Sequence, residues 1–579
     1  MASEFKLSDP FGTAPVKPPF RQSVSGAMAW NRLPVTRRYT LGQLLDQTIA
    51  RCGENDALVM ADRDFRLTWY EFGEEVDKVA KGLVALGVRH GEKIALWSTN
   101  VPHWIILMFA AAKIGAILLP LNINYKSSEL DFSLGQSEAE NLFVIDGYRD
   151  CNYIQVLHSL IPELKTSIRG GLNCRRYPRL KRLFFLGPEK HRGFYSLNEL
   201  KMLAGEVSDE EYETRQARCH IDDVVNMQYT SGTTGFPKGV QLTHSNIAND
   251  GFWIGACQNL SANDRVCIPV PLFHCFGCVL GVMACVNHGS TMVLVEKFDP
   301  KMVMRTIERE RCTAVYGVPT MYIAMLDHPD FEKHDFSSLR TGIMSGSACP
   351  VHRMEQAQTK MFMREITNPY GLTEAGPVMT MTRYFEPSVK RKCETIGQAL
   401  PGVEVAIIDP ETRELAPIGQ DGEICCRGYG NMKGYYNMPD QTAKCIDANG
   451  WLHSGDLGRM DEDGYFYITG RIKDLIIRGG ENISPKEVED FIATMPGVGD
   501  VAVVGCPSKK YGEQPVAFVI PQDGASVTPE EVAAFCKNRI SWFKIPKFVE
   551  IVGEFPLTAS GKIQKYKLRE RAARLWPDA

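Results

Sequence analysis

The sequence has no surplus of charge of one sign. Its 65 Lys and Arg stand against 69 Asp and Glu, a formal net charge of −4. That balance argues against a nucleic-acid binder, which needs a basic excess or stripe to meet phosphates. Glycine (50), proline (33) and cysteine (17) are too sparse in 579 residues for a collagen-like, disordered or disulfide-scaffold chain. The cysteines are odd in number and scattered through apolar segments, so they read as reduced thiols of a cytoplasmic protein. No internal repeat or low-complexity tract is visible.

Targeting and membrane signals are thin as well. The N-terminus, MASEFKLSDPFG, lacks the apolar core of a secretory signal. Residues 11–38 hold Lys17, Arg21, Arg32, Arg37 and Arg38 without an acid, a composition that in a eukaryote would suit a mitochondrial-matrix presequence. Pro15, Pro18, Pro19 and Pro34 would break the amphipathic helix of such a peptide, so 1–39 is expected to be an N-terminal arm. The nearest approach to a membrane span is WIILMFAAAKIGAILLPL (104–121), interrupted by Lys113, Gly115 and Pro120. A buried helix over 103–114 followed by a buried strand over 116–121 is expected instead.

What is present is an alternation of helices and short apolar strands. Thr68 opens a capping box with Glu71, and Phe72, Val76, Val79, Leu83 and Leu86 follow at helical spacing. The strand-like KIALWS (93–98) comes next, and the alternation continues through the first 350 residues. The fold class is therefore α/β with mixed or largely parallel sheets. At roughly 150 residues per domain the length suggests about four domains. From about residue 395 shorter strands and Gly/Asp turns mark a small β-rich subdomain, as in GVEVAIID and GEICCRG. Beyond 472, Ser484-Pro485-Lys486-Glu487 and Thr528-Pro529-Glu530-Glu531 each read as a helix start, with the apolar strand VAVVG (501–505) between them. The division expected is an arm (1–39), a large N-terminal domain (40–471) and a small α+β domain (472–579).

The most informative stretch runs from Tyr229 to Gly239, YTSGTTGFPKG. Glycines and hydroxyl side chains make a loop rich in donors that can wrap a polyphosphate, and Lys238 adds a mobile positive charge. A Walker loop is excluded, because Pro237 precedes Lys238 and Gly239 follows it. His274, Cys275 and Cys278 are three candidate ligands without a fourth nearby, a poor zinc site.

The full string YTSGTTGFPKG resembles the signature loop of the adenylate-forming enzymes, which include the acyl-CoA synthetases. Five further stretches resemble that family's motifs in its order: PLFHCFG (271–277), YGLTEAG (370–376), SGDLG (454–458), GRIKDLIIRGGEN (470–482) and PLTASGK (556–562). The resemblance implies ATP, Mg²⁺ and coenzyme A as cofactors and cosubstrates, and a small carboxylic acid as substrate. Thr230, Ser231, Gly232, Thr233, Thr234, Gly235 and Lys238 would cradle the phosphates. Thr230 and Glu374 would flank Mg²⁺, a hard ion suited to oxygen donors. Tyr370 would stack on adenine, with Gly371 and Thr373 beside it. Asp456 and Arg471 would hold the ribose, and Lys562 would bridge the reacting oxygens as the catalytic lysine. Lys473 would be the hinge of a mobile C-terminal domain, and Gly479, Gly480 and Glu481 would line the approach of the coenzyme A thiol. His274, Phe276, Gly317 and Val318 would surround the acyl group, with His274 next to the chemistry.

The acceptor and the acid follow from smaller signs. Amino-acid-activating relatives hold the substrate amine with an Asp near the pocket motif, and PLFHCFGCVLG has none. Coenzyme A is thus the expected acceptor. Many long-chain synthetases carry a Trp where this chain has Asn482, which points to a medium-chain fatty acid, with an aromatic or alicyclic carboxylate as the alternative. A catalytically silent homologue would have lost Glu374 or Lys562, and both are here. The sequence leaves a homo-oligomer open.

Overall fold

The computed structural model describes residues 23–30, 37–230, 237–347, 349–478, 481–537, 539–558 and 562–577. Two compact units divide it. The first comprises Ser23, Trp30–Glu404 and Cys426–Leu452; the second comprises Val24–Ala29, Val405–Cys425 and His453–Ala579.

The first unit is built on two large sheets. One runs in the order Phe194–Ser196, Arg182–Phe185, Asn141–Val144, Lys93–Trp97, Ile117–Pro120, Val224–Thr230, Lys238–Thr243 and Gly434–Tyr435. It is parallel from Phe194–Ser196 as far as Val224–Thr230. The last two strands are antiparallel to their neighbours. Every residue of Lys93–Trp97 is buried, as befits a strand covered on both faces. Trp97 stacks on Tyr153 at 3.5 Å in the core over one face. The other sheet orders Glu365–Thr367, Thr341–Met344, Ala314–Gly317, Arg265–Ile268, Thr291–Leu294, Asp56–Met60 and Phe65–Thr68, parallel but for the final pair. The expected α/β class is the observed one.

Local signals explain the helices. Trp69–Ala85 starts at Thr68, whose hydroxyl and Glu71 form the expected capping box. The apolar run at 104–121 is a helix, Pro102–Lys113, and a strand, Ile117–Pro120. Lys113 survives in this buried setting because its Nζ lies 2.6 Å from Asp46 and 2.8 Å from Asp77. Among the described residues no helix is long and apolar enough to cross a membrane.

The second unit contains most of a six-stranded sheet, ordered Ser23–Ser25, Met28–Trp30, Val403–Ile408, Gly422–Gly428, Leu452–Met460 and Phe466–Arg471. Part of the arm is thus structured: Ile407 N donates to Ala27 O at 2.9 Å. A second sheet orders Glu481–Ile483, Ile476–Arg478, Gly512–Pro521 and Val498–Ser508, with Phe548–Ile551 parallel to Gly512–Pro521. Apolar clusters cover both its faces. Thr528 and Glu531 form the capping box the sequence suggests. Ser484 precedes its helix as expected but does not cap it; its hydroxyl donates to Thr469 O at 2.5 Å instead. No described cysteine lies in a disulfide.

Candidate active site

In the first unit the phosphate-loop candidate joins two antiparallel strands. Val224–Thr230 pairs with Lys238–Thr243 so that Thr230 faces Lys238 across the mouth of the hairpin. Ser231, Gly232, Thr233, Thr234 and Gly235 lie outside the described residues. Thr230 Oγ1 sits 3.5 Å from Glu374 Oε1, on the one-turn helix Thr373–Ala375. A second hydroxyl meets the same oxygen: Tyr435 donates to Glu374 Oε1 at 2.8 Å. Burial and then the negative charge of Glu374 raise the Tyr435 phenol far above its ordinary value, so it stays a donor. Lys238 Nζ stands 4.9 Å over the Tyr435 ring and 3.1 Å from Gln441 Oε1.

The turn that carries Glu374 is shaped from behind. A Cβ on Gly371 would lie 2.1 Å from Pro377 O, so no larger residue fits there. Asp250 Oδ2 accepts from Val378 N at 2.8 Å. Asp250 is fully buried, and burial pushes its carboxyl well above the ordinary range, toward the neutral acid.

The acyl-pocket candidates converge next to this turn. Cys275 Sγ lies 3.8 Å from Thr373 Oγ1. His274 Nδ1 accepts from Phe276 N at 3.1 Å, which leaves the ring hydrogen to Nε2 in the neutral form. Phe276 begins a π-helical stretch, Phe276–Met283, and its ring lies 6.3 Å from that of Tyr316. Gly317 O accepts from Ser345 N at 3.2 Å, and Ser345 Oγ donates to Pro369 O at 2.5 Å, one residue before the half-buried Tyr370. Val318 is buried beside them.

The second unit holds the other candidates. Asp456 and Arg471 are direct cross-strand partners, and Arg471 Nε donates to Asp456 Oδ1. Asp456 is buried while Arg471 is half exposed, so the guanidinium covers the carboxylate from the solvent side. Lys473 follows on the one-turn helix Ile472–Asp474, and Asp474 pairs with Arg569 of the last helix at 2.7 Å. Gly479 and Gly480 lie outside the described residues; Glu481 is exposed, opposite Arg478 in a strand pair. Lys562 is exposed; its N donates to Thr558 Oγ1 at 3.0 Å, and its O accepts from Thr558 N at 2.7 Å.

Sequence reasoning missed Tyr435 and Asp250. The run GYYNMP (434–439) and a lone Asp in the apolar helix His244–Cys257 were the available signals.

This hairpin and the buried Glu374 beside it, in an α/β chain, sit where the sequence resemblance expects a nucleotide-using ligase to hold phosphate. Comparison with known proteins makes this specific. Residues 45–436 match the model of the AMP-binding enzyme family, and residues 487–562 that of the AMP-binding enzyme C-terminal domain. The chain is 49% identical over 537 residues to YngI of Bacillus subtilis (strain 168), which carries an acyl-CoA synthetase assignment; 93% of this chain and 98% of that protein are covered. It is 38% identical over 535 residues to the mitochondrial medium-chain acyl-CoA ligase ACSF2 of Danio rerio, covering 92% and 88%. Among solved structures, ATP-bound MatB from Rhodopseudomonas palustris superposes with a TM-score of 0.79 at 27% identity, covering 92% and 99%. The chain belongs to the AMP-binding enzyme family, in its acyl-CoA synthetase branch.

Proposed function

We propose that the protein joins a medium-chain fatty acid to coenzyme A in two steps. The substrate carboxylate attacks the α-phosphorus of ATP and pyrophosphate leaves. The thiol of coenzyme A then attacks the acyl carbon, AMP leaves and the thiol proton is released. The observation that carries this reading is the convergence of the Thr230 and Tyr435 hydroxyls on Glu374 Oε1 at the mouth of the phosphate hairpin.

Two anions must meet in the first step, so the work is positioning and charge neutralisation. Lys238 and the loop Ser231–Gly235 hold phosphates, and Tyr370 lies against adenine. Asp456, acceptor-only when ionised, takes the ribose hydroxyls with Arg471 beside it. Thr230 and Glu374 offer one hydroxyl and one carboxylate, hard oxygen donors that fit Mg²⁺. Mg²⁺, when bound, supplies charge neutralisation among the phosphate oxygens. Lys562 stabilises charge on the reacting carboxylate and phosphate. Lys473 is the hinge that exchanges Lys562 for Gly479, Gly480 and Glu481 at the second step. His274, Phe276, Gly317 and Val318 line an apolar acyl site, which Phe276 and Tyr316 support. The name of ACSF2 supports the medium-chain assignment.

Coenzyme-A-dependent AMP release across short, medium, long and aromatic acids tests the proposal. The highest kcat/KM is expected for medium-chain acids. A clear preference for an aromatic or long-chain acid overturns the substrate assignment. Absence of both AMP release and ATP–pyrophosphate exchange with every acid overturns the activity.

A further inference from the structure

Two neighbouring strands of the second unit place three metal-donor side chains on one sheet face. Glu423 and Cys425 are two apart on Gly422–Gly428, so both leave the same face. His453 stands on Leu452–Met460, the adjacent strand. Its Nδ1 lies 2.7 Å from Glu423 Oε2 and 3.3 Å from Cys425 Sγ. The ligand atoms of all three fall within 4.8 Å of one another. Cys425 and Glu423 are buried, and the His453 side chain is 13% exposed.

Cys425 Sγ and Glu423 Oε2 both approach Nδ1 of His453, so the three donor atoms are close enough to share one cation.

We propose that Glu423, Cys425 and His453, none of them assigned to the nucleotide, form a binding site for one divalent cation of the zinc class. One thiolate, one carboxylate and a neutral imidazole balance a double positive charge, which makes the occupied cluster tolerable in a buried setting. Tetrahedral bonds of about 2.0 to 2.3 Å set donor separations near 3.4 Å for N–O and 3.6 Å for N–S. The donors therefore spread by roughly half an ångström as the thiol loses its proton, a small rotamer adjustment. Glu423 is already oriented, because its Oε1 accepts from Gly455 N at 2.9 Å. Arg413 Nη1, 3.9 Å from Glu423 Oε2, is the competing charge. Gly455 adjoins Asp456 on the strand Leu452–Met460, so occupancy stiffens the strand segment that precedes that carboxylate.

Titration of the metal-stripped full chain with Co²⁺ tests the site. One Co²⁺ per chain is expected, with visible bands of a tetrahedral ion and an ultraviolet thiolate-to-cobalt band, both displaced by one equivalent of Zn²⁺. Cys425→Ser should remove the ultraviolet band, and His453→Gln should weaken cobalt binding at least tenfold. Cys393→Ser, a change at a thiol outside the cluster, should leave both signals unchanged. Absence of the ultraviolet band at one equivalent overturns the proposal, as does its persistence in Cys425→Ser. If Cys425→Ser does not fold, unchanged cobalt affinity in a folded His453→Gln protein overturns it equally.

Discussion

Tyr435→Phe isolates one hydroxyl at the centre of the candidate site. The phenol donates to Glu374 Oε1 at 2.8 Å, whereas Thr230 stands at 3.5 Å, beyond the range of a strong O–H···O bond. Tyr435 is thus the firmer of these two partners of that oxygen. A hydrogen bond to a charged group contributes about 1.5 to 3 kcal/mol, so its loss corresponds to roughly a 10- to 150-fold effect. The ring remains, and with it the packing under Lys238. Initial rates of ATP–pyrophosphate exchange, measured against Mg²⁺ concentration at saturating acid, are the assay. The exchange rate is expected to fall by one to two orders of magnitude, with a rightward shift in Mg²⁺ dependence and a melting temperature close to that of the parent. Combining Tyr435→Phe with Glu374→Gln should cost little more than Glu374→Gln alone, because both remove one interaction. Exchange within twofold of the parent, at unchanged Mg²⁺ dependence, would refute the idea that this phenol positions the carboxylate.

Three other perturbations follow from named contacts. Lys562→Ala should abolish acyl-adenylate formation while sparing thioester formation from a supplied acyl-adenylate; equal loss in both single-turnover assays would sink the role given to Lys562. Lys113→Ala should destabilise the first unit by about 2 to 3 kcal/mol, below the largest losses known for buried pairs because Asp46 and Asp77 are half exposed. Thermal unfolding of Lys113→Ala beside Lys113→Met separates the charge from the aliphatic stem. His244 is buried with its pKa lowered from 6.5 to about 4, first by desolvation, and its Nδ1 accepts from Leu41 N at 3.0 Å. Protonation would set one N–H against another. The unfolded chain therefore binds this proton near pH 6.5 and the folded chain only near pH 4, so stability is full above 6.5 and declines as pH falls toward 4. Between pH 7 and 5 this one group should account for about 2 kcal/mol, and His244→Asn should reduce the loss over that interval by that amount; an unchanged pH dependence of unfolding would count against it.

What could be read in advance was mostly local. Thr68 with Glu71 and Thr528 with Glu531 announce helix starts because both partners of each cap sit three residues apart. The strand at 93–97 and the helix-then-strand at 102–120 follow from apolar runs and their punctuation. The hydroxyl-rich stretch stands out in the sequence because its donors are contiguous, while Ser231–Gly235 lie outside the described residues. Contacts distant along the chain were not. Tyr435 reaches Glu374 across 61 residues, and Lys113 reaches Asp46 across 67. Ser484 looked like a cap, yet a carbonyl on another strand drew its hydroxyl away. The pairing of Asp456 with Arg471 depends on strand register, which neither motif states by itself. The π-helical winding at Phe276–Met283 is a choice of hydrogen-bond ladder that apolar composition leaves open.

The pairing of Thr230 with Lys238 also has a bearing on how such a loop can change. Side chains alternate between faces along a strand, so losing or gaining one residue in Lys238–Thr243 would turn every side chain there to the opposite face. Lys238 would then point away from Thr230. An indel confined to the loop leaves both strand ends in step and avoids this. Anyone grafting the loop onto another scaffold must transplant two registered strand ends along with it.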